Sequence, residues 1–375
     1  SYSSTLTIME SKRVLVALSG GVDSSVAAYL LKKQGYEVIG VFLRNGVAKP
    51  AASSSNKQGC CSVEDSRDAA LVADHLGIDF HAIDMHQEFE SIIDYFAEEY
   101  QQARTPNPCM RCNRDIKFGK LWDLAAAVGA KYLATGHYAR IINVDGQHQL
   151  HRGVDISKDQ SYVVFPLGPD TLSKTLLPIG ELDKIQTRQI AKEAGLQIHD
   201  KAESFEICFV PDNNYRELLA SRDQLGKPGR IIDAEGKQLA THSGHAGFTR
   251  GQRRGLGFAS TRAMYVIDID PQSGDVLVGP RAATTCSSLT ANDFHCFGLE
   301  LNVGDEWHDV TVQYRSAFQQ FRAVLKCTAP GTVQIDFIDS VESINPGQGV
   351  AVYRGNQLLG GGFIATVSSQ HFLQV

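Results

Sequence analysis

No apolar run in this 375-residue chain approaches the roughly 20 residues that span a bilayer. No basic leader followed by an apolar core marks a secretory signal either, so the chain is expected in the cytoplasm with no membrane partner. Excess positive charge is also missing: 36 Lys and Arg face 42 Asp and Glu, for a net charge of −6. A nucleic-acid partner would have to be met by a local basic patch rather than by a global field. Cysteine is sparse, eight in all, which argues against a secreted disulfide scaffold and leaves thiols for chemistry. The pair Cys109-x-x-Cys112 has no second Cys-x-x-Cys to complete a four-thiolate zinc site. No repeat of fixed period stands out. The length predicts two or three domains with ample material for a core.

What is present is organised around residues 13–25. Val14 to Leu18 is a short β-branched run, as expected of a strand buried on both faces. It stops at Ser19-Gly20-Gly21, a turn that glycines tighten without a Cβ clash. Asp23 or Ser24 is placed to cap the next helix, whose apolar stripe Val26, Ala27, Leu30 and Leu31 ends at Gly35. Strand, glycine turn and helix start together make an anion site. It is not a Walker loop, because no Gly-Lys-Ser/Thr follows. The string Ser19-Gly-Gly-Val-Asp-Ser-Ser25 instead resembles the PP-loop of ATP pyrophosphatases, which split ATP into AMP and pyrophosphate.

Strands alternating with helices then continue: strand Glu37 to Leu43, a Ser/Ala/Lys-rich excursion at 46–59, a helix through Leu76, strand Asp79 to Met85 and helix Phe89 to Arg104. This alternation predicts an open parallel sheet with helices on both faces, and functional loops at the carboxyl ends of its strands. Two prolines in Thr105-Pro-Asn-Pro108 break the pattern, after which a helix is expected from about Ile116 to Val128, with Cys112 just ahead of its positive end. A strand ending at Ala134 delivers Thr135-Gly136-His137-Tyr138, where the glycine would let a nucleotide approach the backbone. Val144-Asp145-Gly146-Gln147 signals a hairpin. A helix is expected from Asp183 to Ala194, and Cys208 lies in an apolar, strand-like run. Beyond about Arg222 helical periodicity fades and turn signals recur about every ten residues, as in small β domains.

The ordered set of motifs resembles one family, the tRNA-specific 2-thiouridylases. The resemblance rests on residues 19–25, Cys61-Ser-x-Glu-Asp-x-x-Asp-Ala70, Thr105-Pro-Asn-Pro with Cys112-Asn-Arg-x-Ile-Lys-Phe118, and Thr135-Gly-His-Tyr138. It continues through Lys158-Asp159-Gln160, Glu206-Ile-Cys-Phe-Val-Pro211, Phe248-Thr-Arg-Gly-Gln-Arg-Arg-Gly-Leu-Gly257, Tyr314-Arg315, Pro346-Gly-Gln348 and Leu359-Gly-Gly-Gly362. It implies an adenine-nucleotide α-hydrolase-like α/β catalytic domain at 10–211 and two small mainly-β domains, a central one at 212–286 and a barrel-like tRNA-contacting one at 287–375. It further implies ATP with Mg²⁺, a tRNA with a wobble uridine, and a sulfur carrier protein that donates a persulfide. The ATP contacts implied are Ala17, Leu18, Ser19, Gly20, Gly21, Val22, Asp23, Ser24, Leu43 and Gly136. Those implied for the target base and tRNA are Asn107, Pro108, Cys109, His137, Lys158, Asp159, Gln160, Tyr314, Arg315 and Gln348. Cys112 would be the nucleophile and Cys208 the persulfide carrier. Where many members carry Asp, this chain has Cys109.

The residues are compatible with that chemistry. The C2 carbonyl of uracil has no good leaving group, and adenylating its oxygen supplies one. A persulfide then delivers sulfur as a strong nucleophile, and a second cysteine either attacks it to release sulfide or resolves the disulfide product. An alternative uses Cys109, Cys112 and Cys208 as three ligands of an iron–sulfur cluster. Cys60 and Cys61 are expected to be structural. Arg111, Arg114, Lys117 and Lys120, with Arg250, Arg253, Arg254 and Arg315, are the candidate phosphate-tracking cations. Competing readings are an amidotransferase-type ligase of the ATP pyrophosphatase class and a non-catalytic RNA-binding relic. Removing residues 290–375 is expected to spare ATP binding.

Overall fold

The computed structural model describes residues 12–46, 63–203, 207–210 and 214–368. The excursion at 46–59 therefore falls almost wholly outside the described residues, as do Cys60, Cys61, Glu206 and Pro211. The first sheet is parallel and follows the predicted alternation. Strands β1 (Arg13–Ala17), β2 (Glu37–Arg44), β3 (Asp79–Asp84), β4 (Tyr132–Ala134) and β7 (Thr175–Leu176) lie in the order β3-β2-β1-β4-β7. Val14 and Val16 enter one apolar cluster, with Val26 and Leu31 of α1 (Val22–Lys33) and Val72 of α2 (Val63–Leu76). Leu15 enters the other, with Ile92 and Phe96 of α3 (His86–Gln101). Alternate residues of one strand thus feed cores on both faces, which is why the run is continuously apolar. The chain leaves β1 in one direction toward β2 and β3, while β4 and β7 build on the other side. The crevice beyond the ends of β1 and β4 is accordingly the switch point where such sheets bind ligands.

The helix after the two prolines begins earlier than its periodicity suggests. Pro108 stands at its first turn, and Asn107 caps it by accepting the N–H of Met110 at 3.1 Å. The helix runs through α4 (Pro108–Cys112), a wide π-type stretch Asn113–Lys120 and α5 (Leu121–Ala127). Cys112 is thus inside a helix rather than ahead of one, and the helix-end argument for its thiolate does not hold. Cys208 departs from expectation too: it lies in a turn, with Val210 N–H bonded to Ile207 C=O at 2.9 Å.

Two β units follow. The central one orders β10 (Tyr265–Ile269), β11 (Val276–Gly279), β8 (Gly229–Ile232) and β9 (Gln238–His242) as β10-β11-β8-β9. In the last, β12 (Thr285–Cys296) pairs with both β15 (Thr332–Glu342) and β17 (Gln357–Val367). With β14 (Phe321–Ala329), β13 (Glu306–Gln313) and β16 (Gly349–Arg354) between them, six strands close into a barrel. The predicted hairpin, β5 (Ala139–Val144) and β6 (Gln147–Arg152), leaves the first domain and joins this barrel sheet, pairing His151 with Gln357 and Leu150 with Leu358. One apolar cluster consequently contains Leu150, Tyr162 and Phe165 together with Ala351, Tyr353 and Leu358. Among the described residues no helix is long and apolar enough to cross a membrane.

Candidate active site

A cavity of about 410 Å³ opens at the ends of β1 and β4. It is lined by Ala17, Leu18, Ser19, Gly21, Val22, Asp23 and Ser24, and by Leu43, Gly136 and His137. Gly20, the remaining expected nucleotide residue, is not part of its wall. Its φ is +75°, and a Cβ there would lie 2.3 Å from Asp65 C=O, so the turn itself requires glycine. Gly136 has a related reason: a Cβ would meet Ser24 N at 2.5 Å, so the glycine admits the first turn of α1 rather than only a nucleotide.

The expected side-chain cap of α1 is absent. Gly21 is its N-cap and no side chain bonds there. Ser24 Oγ instead accepts the N–H of Ser19 at 3.0 Å, and Ser25 Oγ donates to Gly21 C=O at 2.7 Å. The helix start is left facing the cavity, as an anion site requires. Asp23 is held by Lys184 Nζ at 2.7 and 2.9 Å and by the Tyr138 hydroxyl at 2.9 Å. Burial and the Asp23 charge push the Tyr138 hydroxyl well above its ordinary value, so it stays a donor. Glu203 joins the cluster through Lys158 at 2.7 Å and Lys184 at 3.1 Å. Burial would raise its carboxyl, but the hydrogen bonds and charges of those two lysines outweigh burial and hold it below the usual range.

Lys184 and Lys201 are functional candidates that the sequence reasoning missed. Lys184 had a legible signal: it is the first residue of the helix Lys184–Glu193, behind the capping box of Asp183 and Gln186. A cation at a helix start opposes the dipole and calls for an anion, which here is Asp23. Lys201 binds Gly20 C=O at 3.0 Å and Asp65 at 2.8 Å, contacts distant in sequence that leave no local trace.

A second cavity, about 860 Å³, is lined by Asn107, Pro108, Cys109 and Cys112 from the start of α4, by Cys208, and by Tyr314, Arg315 and Gln348 from the barrel side. It gathers both expected catalytic cysteines, Cys112 and Cys208, and most of the expected tRNA contacts. Cys109 is exposed, and Cys112 and Cys208 are half-buried. Leu43, Lys117, His137, Asp159 and Gln160 line both cavities, so the two meet there. His137 is buried, with Nδ1 2.7 Å from Thr135 Oγ1. Burial first, and Lys117 second, hold its pKa well below the ordinary value, so it is neutral at pH 7.

Several expected contacts turn inward. The Asp159 side chain is almost fully buried, and its carboxylate accepts from Arg152 at 2.7 Å, the Ser161 hydroxyl at 2.9 Å, and the N–H groups of Gly153 at 3.0 Å and Ser161 at 3.1 Å. Such a saturated group has no lone pair to spare for RNA. Tyr314 is buried with its hydroxyl on Glu342 C=O at 3.1 Å, and Arg315 donates to the same carbonyl at 2.6 Å. Gln348 donates to Pro106 C=O at 3.1 Å and so steadies the loop that carries Asn107. Of the candidate phosphate contacts, Arg250 lines the second cavity, but its guanidinium is committed to an ion pair with Asp268 and to Ala103 C=O at 2.9 Å. Arg111 and Arg114 share Asp115 at 2.5 and 2.8 Å, whereas Lys120, Arg253 and Arg254 stand exposed. Among the described residues no three His, Cys, Asp or Glu side chains gather as a metal site. The iron–sulfur alternative on Cys109, Cys112 and Cys208 therefore does not fit this arrangement.

A glycine-turned helix start at the switch point of a parallel sheet, opening into a cysteine-bearing cavity that a β-barrel helps to wall, defines a nucleotide-using α/β enzyme with appended β domains. Domain families match in that order: a tRNA methyl transferase HUP domain over residues 12–212, a tRNA methyl transferase PRC-barrel domain over 220–280 and an aminomethyltransferase beta-barrel domain over 287–364. The tRNA-specific 2-thiouridylase MnmA of Carboxydothermus hydrogenoformans is 43% identical over 363 residues, 96% of this chain and 99% of the relative. Its namesake in Rhodopirellula baltica is 38% identical over 94% of this chain and 96% of the relative. That of Clostridium perfringens is 40% identical over 96% and 100%. The chain belongs to the tRNA-specific 2-thiouridylase family.

Proposed function

We propose that this chain is a tRNA-uridine 2-sulfurtransferase that spends ATP to replace the C2 oxygen of a wobble uridine with sulfur. The observation that carries it is the junction of the two cavities at Lys117, His137 and Gln160, which lets an α-phosphate on one side meet a base on the other. The uridine O2 attacks the α-phosphorus, the bond to the bridging oxygen breaks, and pyrophosphate leaves across the start of α1. Mg²⁺ would arrive on the triphosphate, with Asp23 the one carboxylate that the turn places in the cavity wall. The terminal sulfur of a Cys208 persulfide then bonds to C2 and AMP departs. Cys112 thiolate attacks Cys208 Sγ, breaking the S–S bond and forming a Cys112–Cys208 disulfide. Two thiol electrons thus reduce the transferred sulfur, so each turnover needs a thiol reductant and a fresh persulfide from a carrier protein. Both needs fit a reducing cytoplasm. Exposed Lys120 and the loop bearing Arg253 and Arg254 supply the positive charge for the RNA.

In this division of labour, residues 10–211 adenylate and thiolate, while 212–286 and 287–375 seat the tRNA. Incubation with ATP and tRNA is expected to release AMP and pyrophosphate in equal amounts and to retard the tRNA on a mercury-containing gel. ADP and inorganic phosphate as products, or unretarded tRNA, would remove the proposal.

A further inference from the structure

Arg152 ends the hairpin that leaves the catalytic domain for the barrel sheet, and it is fully buried. Its Nη1 donates to Asp159 and to Gln313 of the barrel, each at 2.7 Å. Its guanidinium stacks 3.5 Å from the centre of the Tyr353 ring, and Nε and Nη2 find no hydrogen-bond partner among the described residues. A buried guanidinium with two unpartnered donor nitrogens is held by this one polar edge, the Tyr353 ring face and the Phe318 ring 4.9 Å away.

That edge joins the two ends of the site. On the barrel side Gln313 donates to Arg315 C=O at 2.8 Å, and Arg315 lines the cysteine cavity. On the catalytic side Asp159 fixes the segment bearing Gln160. Gln160 exchanges hydrogen bonds with the Tyr138 backbone at 2.8 and 3.0 Å, and the Tyr138 hydroxyl reaches Asp23 at 2.9 Å. An unbroken series of contacts therefore runs from the barrel to the carboxylate of the nucleotide turn.

We propose that Arg152 is a positioning residue that makes occupancy of the barrel-side cavity by RNA strengthen ATP binding at the glycine turn. The proposal rests on the thiouridylase reading above. RNA packed against the cavity wall at Arg315 steadies the Arg315 carbonyl and so Gln313, hence Arg152 and Asp159, hence the Gln160–Tyr138–Asp23 series that orients the turn. Coupling of this kind is reciprocal, so ATP must tighten tRNA binding by the same factor.

The test measures ATP affinity with and without tRNA, tRNA affinity with and without ATP, and tRNA-dependent AMP release. It uses the full-length protein, Arg152→Lys and Gln313→Met. Lysine keeps the charge but not the planar edge that bonds two acceptors and stacks on Tyr353. In the wild type each ligand is expected to tighten the other at least about fivefold. Both variants should keep each single-ligand affinity within about twofold while the mutual tightening collapses toward one, and the double variant should lose no more than the worse single one. Mutual tightening retained in both variants overturns the proposal. So does loss of single-ligand affinity in step with a lowered Tm in both, since Arg152 would then only hold the fold. If Arg152→Lys fails to fold, Gln313→Met decides by the same criteria. A wild type that releases no AMP with tRNA would sink the thiouridylase reading instead, a result separable from these.

Discussion

Cys109, Cys112 and Cys208 line one cavity, yet the chemistry asks different things of them. A persulfide route needs one carrier and one resolving thiol, and the absence of a three-ligand site among the described residues leaves Cys109 outside that minimum. Cys112→Ser and Cys208→Ser are each expected to lower thiolation at least about a thousandfold, as loss of a nucleophile does. Cys109→Ser should slow it by less than about tenfold, ~1.4 kcal/mol of barrier. Mercury-gel assay of the three variants checks this, and a dead Cys109→Ser would restore a three-cysteine mechanism. His137 makes a separate prediction. Above the ordinary value of 6.5 the folded and unfolded chains both hold it neutral, so it adds no pH dependence there. Below 6.5 the unfolded chain takes a proton that the buried ring, next to Lys117, refuses. Stability therefore falls as pH drops from 6.5 toward the lowered folded value, by up to about 1.4 kcal/mol per pH unit from this group. Urea midpoints at several pH values should fall more steeply on acidification for the wild type than for His137→Gln. Parallel curves would refute the assignment.

At the scale of elements, local chemistry was legible and register was not. The strand, glycine turn and helix at 13–33 sit where periodicity and turn residues put them, because each is decided by neighbours within a few positions. Periodicity misses the helix start at Pro108 because the two prolines of residues 105–108 read as a break, while buried Met110 and Ile116 face a core made by distant segments. Asn107 carries two duties that substitution can separate: it caps that helix and lines the cysteine cavity. Asn107→Ala removes the cap and should cost about 1 kcal/mol of stability together with most of the activity. Asn107→Asp caps as well as asparagine does and should melt within a degree or two of wild type. Its carboxylate cannot donate to a uracil carbonyl, so thiolation should still fall at least about tenfold, the worth of one lost hydrogen bond to substrate. Equal activity in wild type and Asn107→Asp would show that the amide does not read the base.

The feature of the whole molecule least readable from sequence is the hairpin at 139–152. Its turn was evident in Asp145-Gly146, which both take positive φ. Nothing local announces that β6 pairs with β17, some 200 positions later, because edge pairing is a contest among all available strands. This pairing argues against the expectation that residues 290–375 can be removed without harm to ATP binding. Their loss would strip Phe297, Ala351, Tyr353 and Leu358 from the cluster that covers Leu150, Tyr162 and Phe165 of the catalytic domain. Burial of large apolar side chains is worth roughly 1.5–3 kcal/mol each, so uncovering several consumes a sum like the 5–15 kcal/mol that typically holds a domain folded. Arg152 would lose both Gln313 and the Tyr353 ring, leaving its guanidinium with Asp159 alone beside bared apolar surface. A protein ending at residue 289 is therefore expected to aggregate or to melt without cooperativity, and to bind ATP at least about tenfold more weakly than the full chain. Calorimetric titration with ATP and a thermal melt by near-UV circular dichroism decide the matter. A monomeric fragment with a sharp transition and full-length ATP affinity would show that the catalytic domain stands alone and that the barrel serves only to hold RNA.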